Sequence, residues 1–251
     1  MCVEVLKSRS DIKLARRELN RRKLSFTTPW WKRLGRKRNL PGAIEVGDEL
    51  KSWDVLKTVT FIEKHVARDA SILDMGAFAS EVPCILHKLN YCNLAGVDLN
   101  PNIRAMPYAS SVRYEVADFM HTPFSNESFD IITAISVIEH GYKGQALLRE
   151  LSRLLRPGGY FVASFDYWPE KIDSDGIRIF GMDWKIFSAE EVRSFLDEAA
   201  KYGLVPPGDI GLDSLEKPIR SAEKYYTFAW LVLQKTTGPS TLRTVPVVTS
   251  I

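Results

Sequence analysis

Long apolar runs, internal repeats and paired cysteines are scarce or missing in this sequence. No apolar stretch approaches the ~20 residues that a membrane-spanning helix needs, and no repeat is evident that would indicate a solenoid or propeller. Only three cysteines occur, Cys2, Cys84 and Cys92, and they lack the spacing of a metal site. With no recognisable signal peptide, this odd number of cysteines indicates a protein of the reducing cytoplasm.

Positive charge is concentrated near the N-terminus. Residues 1–40 carry thirteen Lys and Arg against three Asp and Glu, a net charge of +10, while the rest of the chain is acidic. Residues 29–38 add two tryptophans to five of these cations, a mixture that suits an anionic membrane surface or, less well, a nucleic acid. A solvated arm whose tryptophans pack on the domain is the alternative. We expect a cytoplasmic protein that can lie at the membrane periphery.

The domain organisation follows from composition and length. At 251 residues the chain is long enough for one α/β domain with additions. We interpret residues 1–42 as a basic, partly helical arm and residues 43–235 as the main domain. Residues 236–251 are rich in Thr, Ser, Pro and Val without periodicity, which predicts a mobile tail.

The segment 71–80 reads as a short buried strand that runs into a tight turn. Two aliphatic residues precede Asp74, and after Gly76 come mostly small residues before a helical segment at about 81–90. Glycine permits the sharp turn, and the following helix N-terminus offers free N–H groups, as in the ligand crevice of an open α/β sheet. Taken alone, the segment is equally compatible with an ordinary strand-to-helix turn.

Further apolar strands repeat this pattern and end at, or lead to, acidic residues. They are 95–99 with Asp98, 112–117 with Asp118, and 128–135, which leads to Glu139 and His140. An acid after the second strand is where such sheets hold a ribose diol, because a carboxylate accepts both hydroxyl hydrogens. The turn Leu-Arg-Pro-Gly-Gly at 155–159 then opens a fifth strand at 160–165.

Together these motifs resemble those of class I S-adenosylmethionine-dependent methyltransferases, of the type 11 kind, over roughly residues 71–165. The resemblance implies an α/β, Rossmann-like fold with a mostly parallel seven-stranded sheet, an antiparallel seventh strand and helices on both faces. It also implies S-adenosyl-L-methionine as cofactor, with Asp118 accepting from the adenine amino group and the Phe119 N–H meeting a ring nitrogen. The positions that it assigns to the cofactor are Asp74, Gly76, Ala77, Ser80, Asp98, Leu99, Asp118, Phe119 and Ser136.

The first motif departs from the family's pattern. Phe78 and Ser80 stand where the family usually has its second and third glycines. A phenylalanine at positive φ would cost on the order of 1 kcal/mol and would crowd the methionine end of the cofactor. The alternative is a turn of different geometry, in which Ala77, Ala79 and Ser80 are the residues of close approach.

The remaining elements are predicted from periodicity and caps. Residues 45–67 carry an apolar face typical of a helix, and Trp53 on it is either a core residue or a lid residue. Ser188 and Glu191 form a capping-box pattern. The other predicted elements are helices at 11–24, 143–155 and 188–202, strand six at 204–212 and strand seven at 225–234.

His140 is the first candidate catalytic residue. It follows strand four, at the edge where open α/β sheets place their ligands. A hydroxyl acceptor needs a base, and an imidazole titrates in the right range. The alternative is that His140 hydrogen-bonds the backbone and shapes the floor of the cofactor site.

The segment 166–176 after strand five combines aromatic and charged residues. Asp166 is the second candidate catalytic residue, and Tyr167, Trp168 and Lys171 are candidate substrate-binding residues, because aromatic faces beside carboxylates typically hold sugar rings. The segment also resembles loops of methyltransferases grouped with polysaccharide-building enzymes, which implies a small hydroxylated acceptor such as a sugar or lipid-linked glycan. A divalent cation site at Asp166, Asp173 and Asp175, or a purely structural loop, are the alternatives.

Two other functional classes stay open. A dehydrogenase or another nucleotide-using enzyme also places an acid after strand two, although the third acid, Asp118, and the Leu-Arg-Pro-Gly-Gly turn argue against it. A binding or scaffold protein on a degenerate methyltransferase fold is suggested by Phe78 and Ser80.

Overall fold

The computed structural model describes residues 1–27 and 44–237. The tryptophan-rich basic segment 29–38 and nearly all of the predicted tail lie outside the described residues. In chain order the strands are β1 (Val3–Val5), β2 (Ser71–Met75), β3 (Asn93–Asp98), β4 (Val112–Val116), β5 (Phe129–Ile135), β6 (Leu155–Tyr167), β7 (Arg178–Ile179), β8 (Met182–Asp183), β9 (Leu204–Val205), β10 (Ile219–Ser221) and β11 (Lys224–Lys235). The helices are α1 (Arg9–Arg21), α2 (Ser52–His65), α3 (Val82–Lys88), α4 (Gly144–Leu154) and α5 (Ala189–Lys201), with short 3₁₀ helices at Glu49–Lys51 and Pro101–Ala105.

Five parallel strands form the centre of a large sheet, in the order β4-β3-β2-β5-β6. The central strand β2 places Asp74 beside Gly96 of β3 on one side and Thr133 of β5 on the other. β2 and β5 are nearly continuous apolar runs because the sheet is covered on both faces. The carboxyl ends of β2 to β5 therefore meet at one edge of the sheet, which we call the carboxyl edge. The predicted Rossmann-like fold is confirmed.

β11 runs antiparallel to β6, as predicted for the seventh strand. Its outer edge is covered by three short antiparallel strands, β9, β1 and β10. The prediction of one long strand over 204–212 is wrong, since only Leu204–Val205 pair with β11. The N-terminal strand β1 takes the neighbouring stretch of that edge, opposite residues 229–231. Over residues 1–27 and 44–237 the sheet consequently has nine strands rather than the seven predicted.

The helices begin close to the positions that their caps predict. The helix expected over 45–67 begins only at Ser52, after the 3₁₀ turn, and buries Val55, Val59 and Ile62 in the core. The capping box before α5 is confirmed, because the Ser188 hydroxyl accepts from the Glu191 N–H at 3.2 Å and the Glu191 carboxylate accepts from the Ser188 N–H at 2.8 Å. This capping box fixes where α5 starts and hence which face it buries.

A buried ion pair ties α1 to the loop that follows β2. The Arg16 guanidinium donates to both carboxylate oxygens of Glu81, at 3.0 and 2.8 Å. Glu81 also accepts from the backbone N–H groups of Phe26 and Thr27. Because Glu81 immediately precedes α3, the N-terminal helix is attached directly to the turn that sequence analysis assigned to the cofactor.

The strand β6 is longer than predicted and continues through Asp166 to Tyr167. The chain then leaves the sheet and forms the ribbon β7–β8, whose tip carries Phe180 at φ +54° with 84% of its surface exposed. Among the helices of residues 1–27 and 44–237, none is long and apolar enough to cross a membrane.

Candidate active site

Asp74 lies at the carboxyl end of β2 and is only 2% exposed. Its Oδ1 accepts a hydrogen bond from the Thr133 hydroxyl at 2.5 Å, whereas no group of residues 1–27 and 44–237 donates a hydrogen bond to its Oδ2. Burial, together with the nearby charge of Asp98, raises the pKa of this carboxyl from 3.8 to about 7. The site thus contains a buried acceptor atom that is available to a ligand.

The turn after Asp74 puts its backbone strain on Gly76 and Ala79. Gly76 has φ +71°, and a Cβ there would come within 2.3 Å of the Val137 side chain, so only glycine fits. Ala79 has φ +62°, while Phe78 does not take positive φ. The turn therefore follows the alternative geometry considered above, with the strain on a small residue rather than on the phenylalanine. Strain at Ala79 costs roughly 1–2 kcal/mol.

Asp98, at the end of β3, is held by the backbone on both sides. Its Oδ2 accepts from the Phe78 N–H at 3.1 Å, and its Oδ1 accepts from the Asn100 N–H at 2.8 Å. The Ala117 N–H donates to the Asp98 carbonyl at 3.0 Å, which joins the loop after β4 to the end of β3. Each carboxylate oxygen retains a lone pair for a further donor such as a ribose hydroxyl.

Asp118 is exposed just after β4, and its Oδ1 accepts from the Met120 N–H at 2.8 Å. Asp74, Asp98 and Asp118 consequently follow three adjacent strands at the carboxyl edge. The other cofactor candidates lie at the same edge: Ala77 and Phe119 are buried, Ser80 and Ser136 are half-buried, and Leu99 is 57% exposed.

The residues present fit S-adenosylmethionine. The buried, unpartnered Asp74 Oδ2 suits the hydrogen-bond donors of its methionine portion, and the Asp98 oxygens suit its ribose hydroxyls. This arrangement accounts for a nucleoside with a polar amino-acid end.

A second polar cluster lies next to this crevice, around Lys51. The Lys51 ammonium donates to the Ser136 hydroxyl at 2.5 Å and lies 3.8 Å above the centre of the Phe228 ring. Ser136, at φ +51°, follows β5 directly, and its backbone N–H donates to the Ser164 carbonyl of β6 at 2.9 Å. Lys51 therefore spans from the N-terminal side of the chain to the carboxyl edge.

Three buried carboxyl groups surround this lysine. Asp54 accepts from the Ser164 hydroxyl at 2.7 Å, and Asp166 accepts from the Trp184 indole N–H at 2.7 Å. Neither carboxylate oxygen of Glu139 has a hydrogen-bond partner among the described residues. Burial raises the pKa of all three, to about 6 for Asp54, and the charge of Lys51 acts in the opposite direction.

His140 follows Glu139 and is half-buried, and its buried Nδ1 atom has no hydrogen-bond partner in the part of the chain that the structure describes. Burial and the charge of Lys51 lower the pKa of its imidazole to about 4, so the ring is neutral at physiological pH. The Phe180 ring lies 5.4 Å from it, edge to face. A neutral imidazole can accept a proton, which is what a base requires.

The three candidate substrate-binding residues have different surroundings. Side chains alternate along a strand, so Tyr167 points away from the face that carries Asp166; it is completely buried and donates to the Leu212 carbonyl at 2.6 Å. Trp168 is half-buried, packs against the apolar cluster that contains Trp184, and has the Lys217 ammonium 4.4 Å from its ring. The Lys171 ammonium pairs at 2.8 Å with Glu191, which lines a surface groove of about 380 Å³.

Several residues of the site escaped sequence analysis. Lys51 and Asp54 belong to the turn and helix before β2, Trp184 follows the ribbon, and Tyr226 lies on β11 beside Asp166. None belongs to a local motif, since the sheet brings them together from distant parts of the chain. Glu139 was visible beside His140 after the fourth predicted strand but was assigned no role there. Within the described ranges no group of three or more His, Cys, Asp and Glu could hold a metal ion.

Comparisons with known proteins agree with this geometry. Residues 73–163 match the family model described as a methyltransferase domain. The methyltransferase GfsG of Streptomyces halstedii is 28% identical over 102 residues, which cover 38% of this chain and 37% of that protein. The chain spans about a third of the length of the first curated relatives that it matches.

Solved structures share the fold. A putative sarcosine dimethylglycine methyltransferase from Galdieria sulphuraria aligns with a TM-score of 0.54 at 16% identity, over 74% of this chain and 85% of that one. Geranyl diphosphate C-methyltransferase from Streptomyces coelicolor A3(2), in complex with Mg²⁺, geranyl diphosphate and S-adenosyl-L-homocysteine, aligns with a TM-score of 0.52 at 18% identity, over 76% and 85%. These structures confirm the predicted fold, and the match over residues 73–163 agrees with the sequence-based identification of a methyltransferase domain.

Proposed function

We propose that this chain, whose residues 73–163 form a class I S-adenosylmethionine-dependent methyltransferase domain, transfers a methyl group from that cofactor to a small acceptor. The single observation that carries the proposal is the placement of Asp74, Asp98 and Asp118 after three adjacent strands, with the Asp74 Oδ2 atom buried and unpartnered. When bound, S-adenosylmethionine supplies an electrophilic methyl group on a sulfonium.

The protein's part in such a transfer is chiefly to align the acceptor and to exclude water. Asp98 would hold the ribose, and Asp118 with the Phe119 backbone would hold the adenine. The ring of Phe119 is buried, which fixes the backbone that offers the N–H. The strained turn at Gly76 and Ala79 brings the backbone close to the ligand without a large side chain in between.

For the acceptor we propose a small hydroxylated molecule, such as a sugar or a lipid-linked glycan. What supports it is the neutral imidazole of His140 at the carboxyl edge, whose buried Nδ1 is free to accept a proton. Transfer to a hydroxyl would form an oxygen–carbon bond as the bond between the methyl carbon and the sulfonium sulfur breaks, which leaves S-adenosylhomocysteine, and His140 would take up the hydroxyl proton. We assign Asp166, on the neighbouring strand β6, to the same acceptor side of the site.

Calorimetry with S-adenosylhomocysteine, S-adenosylmethionine and NAD tests the proposal. Asp98→Asn keeps an acceptor for the Phe78 N–H but removes the charge, and we expect about 10- to 100-fold weaker binding of S-adenosylhomocysteine. Asp69→Asn, an exposed carboxylate near the opposite, amino end of β2, is the matched control and should bind normally. Binding of NAD alone would favour another nucleotide-using enzyme. No binding of S-adenosylhomocysteine would favour a scaffold on the same fold.

A partner is also proposed for the basic arm. The net charge of +10 over residues 1–40 supports contact with an anionic membrane surface. The tryptophans and cations of residues 29–38 carry this proposal on sequence alone. Co-sedimentation with vesicles rich in phosphatidylserine, at low and high salt, tests it against neutral phosphatidylcholine vesicles. Equal retention on both kinds of vesicle would contradict it.

A further inference from the structure

The cluster around Lys51 contains three buried acids and one cation. Asp54, Glu139 and Asp166 are 0%, 1% and 4% exposed, and Lys51 is the cation that acts on all three of their pKa values. The Lys51 ammonium itself is hydrogen-bonded to the Ser136 hydroxyl. If the three acids were ionised together, the cluster would be short of two positive charges.

Among the described residues of this cluster, the carboxyl oxygens that lack a hydrogen-bond donor belong to Glu139 and Asp166. Asp54 is satisfied by Ser164 and by the backbone N–H of Val55, at 3.2 Å. The two Glu139 oxygens and Asp166 Oδ1 have no partner in the part of the chain that the structure describes. Asp166 lies close enough to Glu139 that its charge, after burial, helps to raise the pKa of the Glu139 carboxyl. Buried carboxyl oxygens without donors are costly to keep, so a missing donor is the simplest reason for their arrangement.

We propose that Glu139 and Asp166 form an anchoring site for a protonated amine carried by the acceptor. The inference rests on the proposed methyl transfer, because it assigns this cluster to the acceptor side of the same carboxyl edge. Glu139 and Asp166 are positioning residues here. They hold the ammonium group while His140 faces the hydroxyl group that receives the methyl. The acceptor class is thus an amine-bearing polyol, such as an amino sugar with a free amino group.

The open carboxylate oxygens of Glu139 and Asp166 favour a cation over a neutral polyol. A primary ammonium brings three N–H donors and one positive charge, and three carboxylate oxygens are open. A neutral polyol would also bring hydroxyl oxygens that need hydrogen-bond donors. The nearby donors of Lys51 and Trp184 are already bonded to Ser136 and Asp166, so they are not free to serve those oxygens. Rings of Trp184, Tyr226 and Phe228 line the adjoining apolar cluster, and such faces attract cations.

Other charged groups at this site do not remove the need for a cation. His140 is neutral, and the charge of Lys51 contributes to that by lowering the pKa of its imidazole. The Tyr226 hydroxyl lies beside Asp166, and burial keeps the pKa of this phenol far above its usual range, so it adds no charge. Lys51 therefore remains the positive group that these residues share in the free protein.

Glu139→Gln tests the anchor because it keeps the shape of the side chain and removes its charge. The probes are D-glucosamine, which is cationic, and the neutral D-glucose and N-acetyl-D-glucosamine, measured by calorimetry or saturation-transfer NMR in the presence of S-adenosylhomocysteine. We expect the wild type to prefer D-glucosamine, and Glu139→Gln to weaken its binding about tenfold or more. Asp173→Asn, an exposed carboxylate on the segment after β6, is the control and should behave as the wild type.

A stability measurement separates an anchor from a merely structural residue. Because the Glu139 carboxylate has no partner among the described residues, Glu139→Gln should raise the melting temperature of the free protein at neutral pH. The same substitution should weaken the binding of D-glucosamine. A structural residue would show a lower melting temperature instead. The same samples report S-adenosylhomocysteine affinity, so a failure of the cofactor proposal is seen independently. Equal binding of D-glucosamine and D-glucose, or unchanged amine binding in Glu139→Gln, would overturn the anchor even where the cofactor binds.

Discussion

Asp74→Asn should remove one particular pH dependence from the stability of the protein. The carboxyl is buried at the end of β2, and its pKa is raised from 3.8 to about 7 mainly because burial disfavours the charged form. Asparagine has nearly the same size and can still accept from the Thr133 hydroxyl, so the substitution chiefly removes the titration.

The sign and size follow from linkage between protonation and folding. A carboxyl whose pKa is higher in the folded state stabilises the fold fully below its unfolded pKa, and that stabilisation is lost as the pH rises through the folded pKa. A shift from 3.8 to about 7 corresponds to about 4 kcal/mol over the whole range. Between pH 5 and pH 8 the contribution of Asp74 to the free energy of unfolding falls by about 3 kcal/mol, so the folded state loses stability as the pH rises.

Urea unfolding of the wild type and Asp74→Asn at several pH values between 5 and 8 measures the difference. The variant should become more stable relative to the wild type by about 3 kcal/mol as the pH rises across this range. Asp69→Asn, exposed near the amino end of the same strand, should show a constant difference from the wild type. A difference for Asp74→Asn that stays constant with pH would refute the reasoning, since the carboxyl would then titrate normally.

Three further predictions concern catalysis, ligand linkage and the N-terminal helix. His140→Ala should lower the rate of methyl transfer at least about 100-fold with unchanged binding of S-adenosylhomocysteine. Near-normal turnover by this variant would show that His140 is not the base. In the wild type, the acidic limb of activity that depends on His140 should fall only near pH 4, which a pH–rate profile checks. Binding of S-adenosylhomocysteine near pH 7 should release a proton from Asp74, seen as a dependence of the calorimetric enthalpy on the buffer, and the dependence should shrink in Asp74→Asn. Arg16→Met should destabilise the protein by about 3–5 kcal/mol in urea unfolding because it leaves the buried Glu81 uncompensated, whereas Arg17→Met on the exposed side of α1 should have little effect.

The part of the site that sequence analysis could reach is the part built from local motifs. Asp74, Asp98 and Asp118 each follow a short apolar strand, so the strand pattern alone indicates that they share one edge. The turn at Gly76 was predictable as a turn, but its strain on Ala79 rather than Phe78 depends on backbone angles that residue identities do not determine.

The acceptor side was harder to predict because its residues are far apart in the chain. Lys51 precedes Ser136 by 85 residues, and Asp54 precedes Ser164 by 110, and no spacing rule links them. Tyr167 shows a related limit. Its place beside Asp166 suggested a shared role, yet alternation along a strand sends the two side chains to opposite faces. The edge strand Val3–Val5 is too short to give a periodic signal.

That edge strand has a consequence for how the chain acquires its fold. β1 pairs with residues 229–231, so Val3–Val5 find their partners only after the whole intervening stretch of chain has been synthesised. Contacts that close so long a loop form late and slowly, because their loop-closure entropy is large. During synthesis the parallel core can assemble first, and β1 then closes the outer edge of β11. A bulky insertion directly before β1 would therefore interfere with this late step of folding, while leaving the parallel core intact.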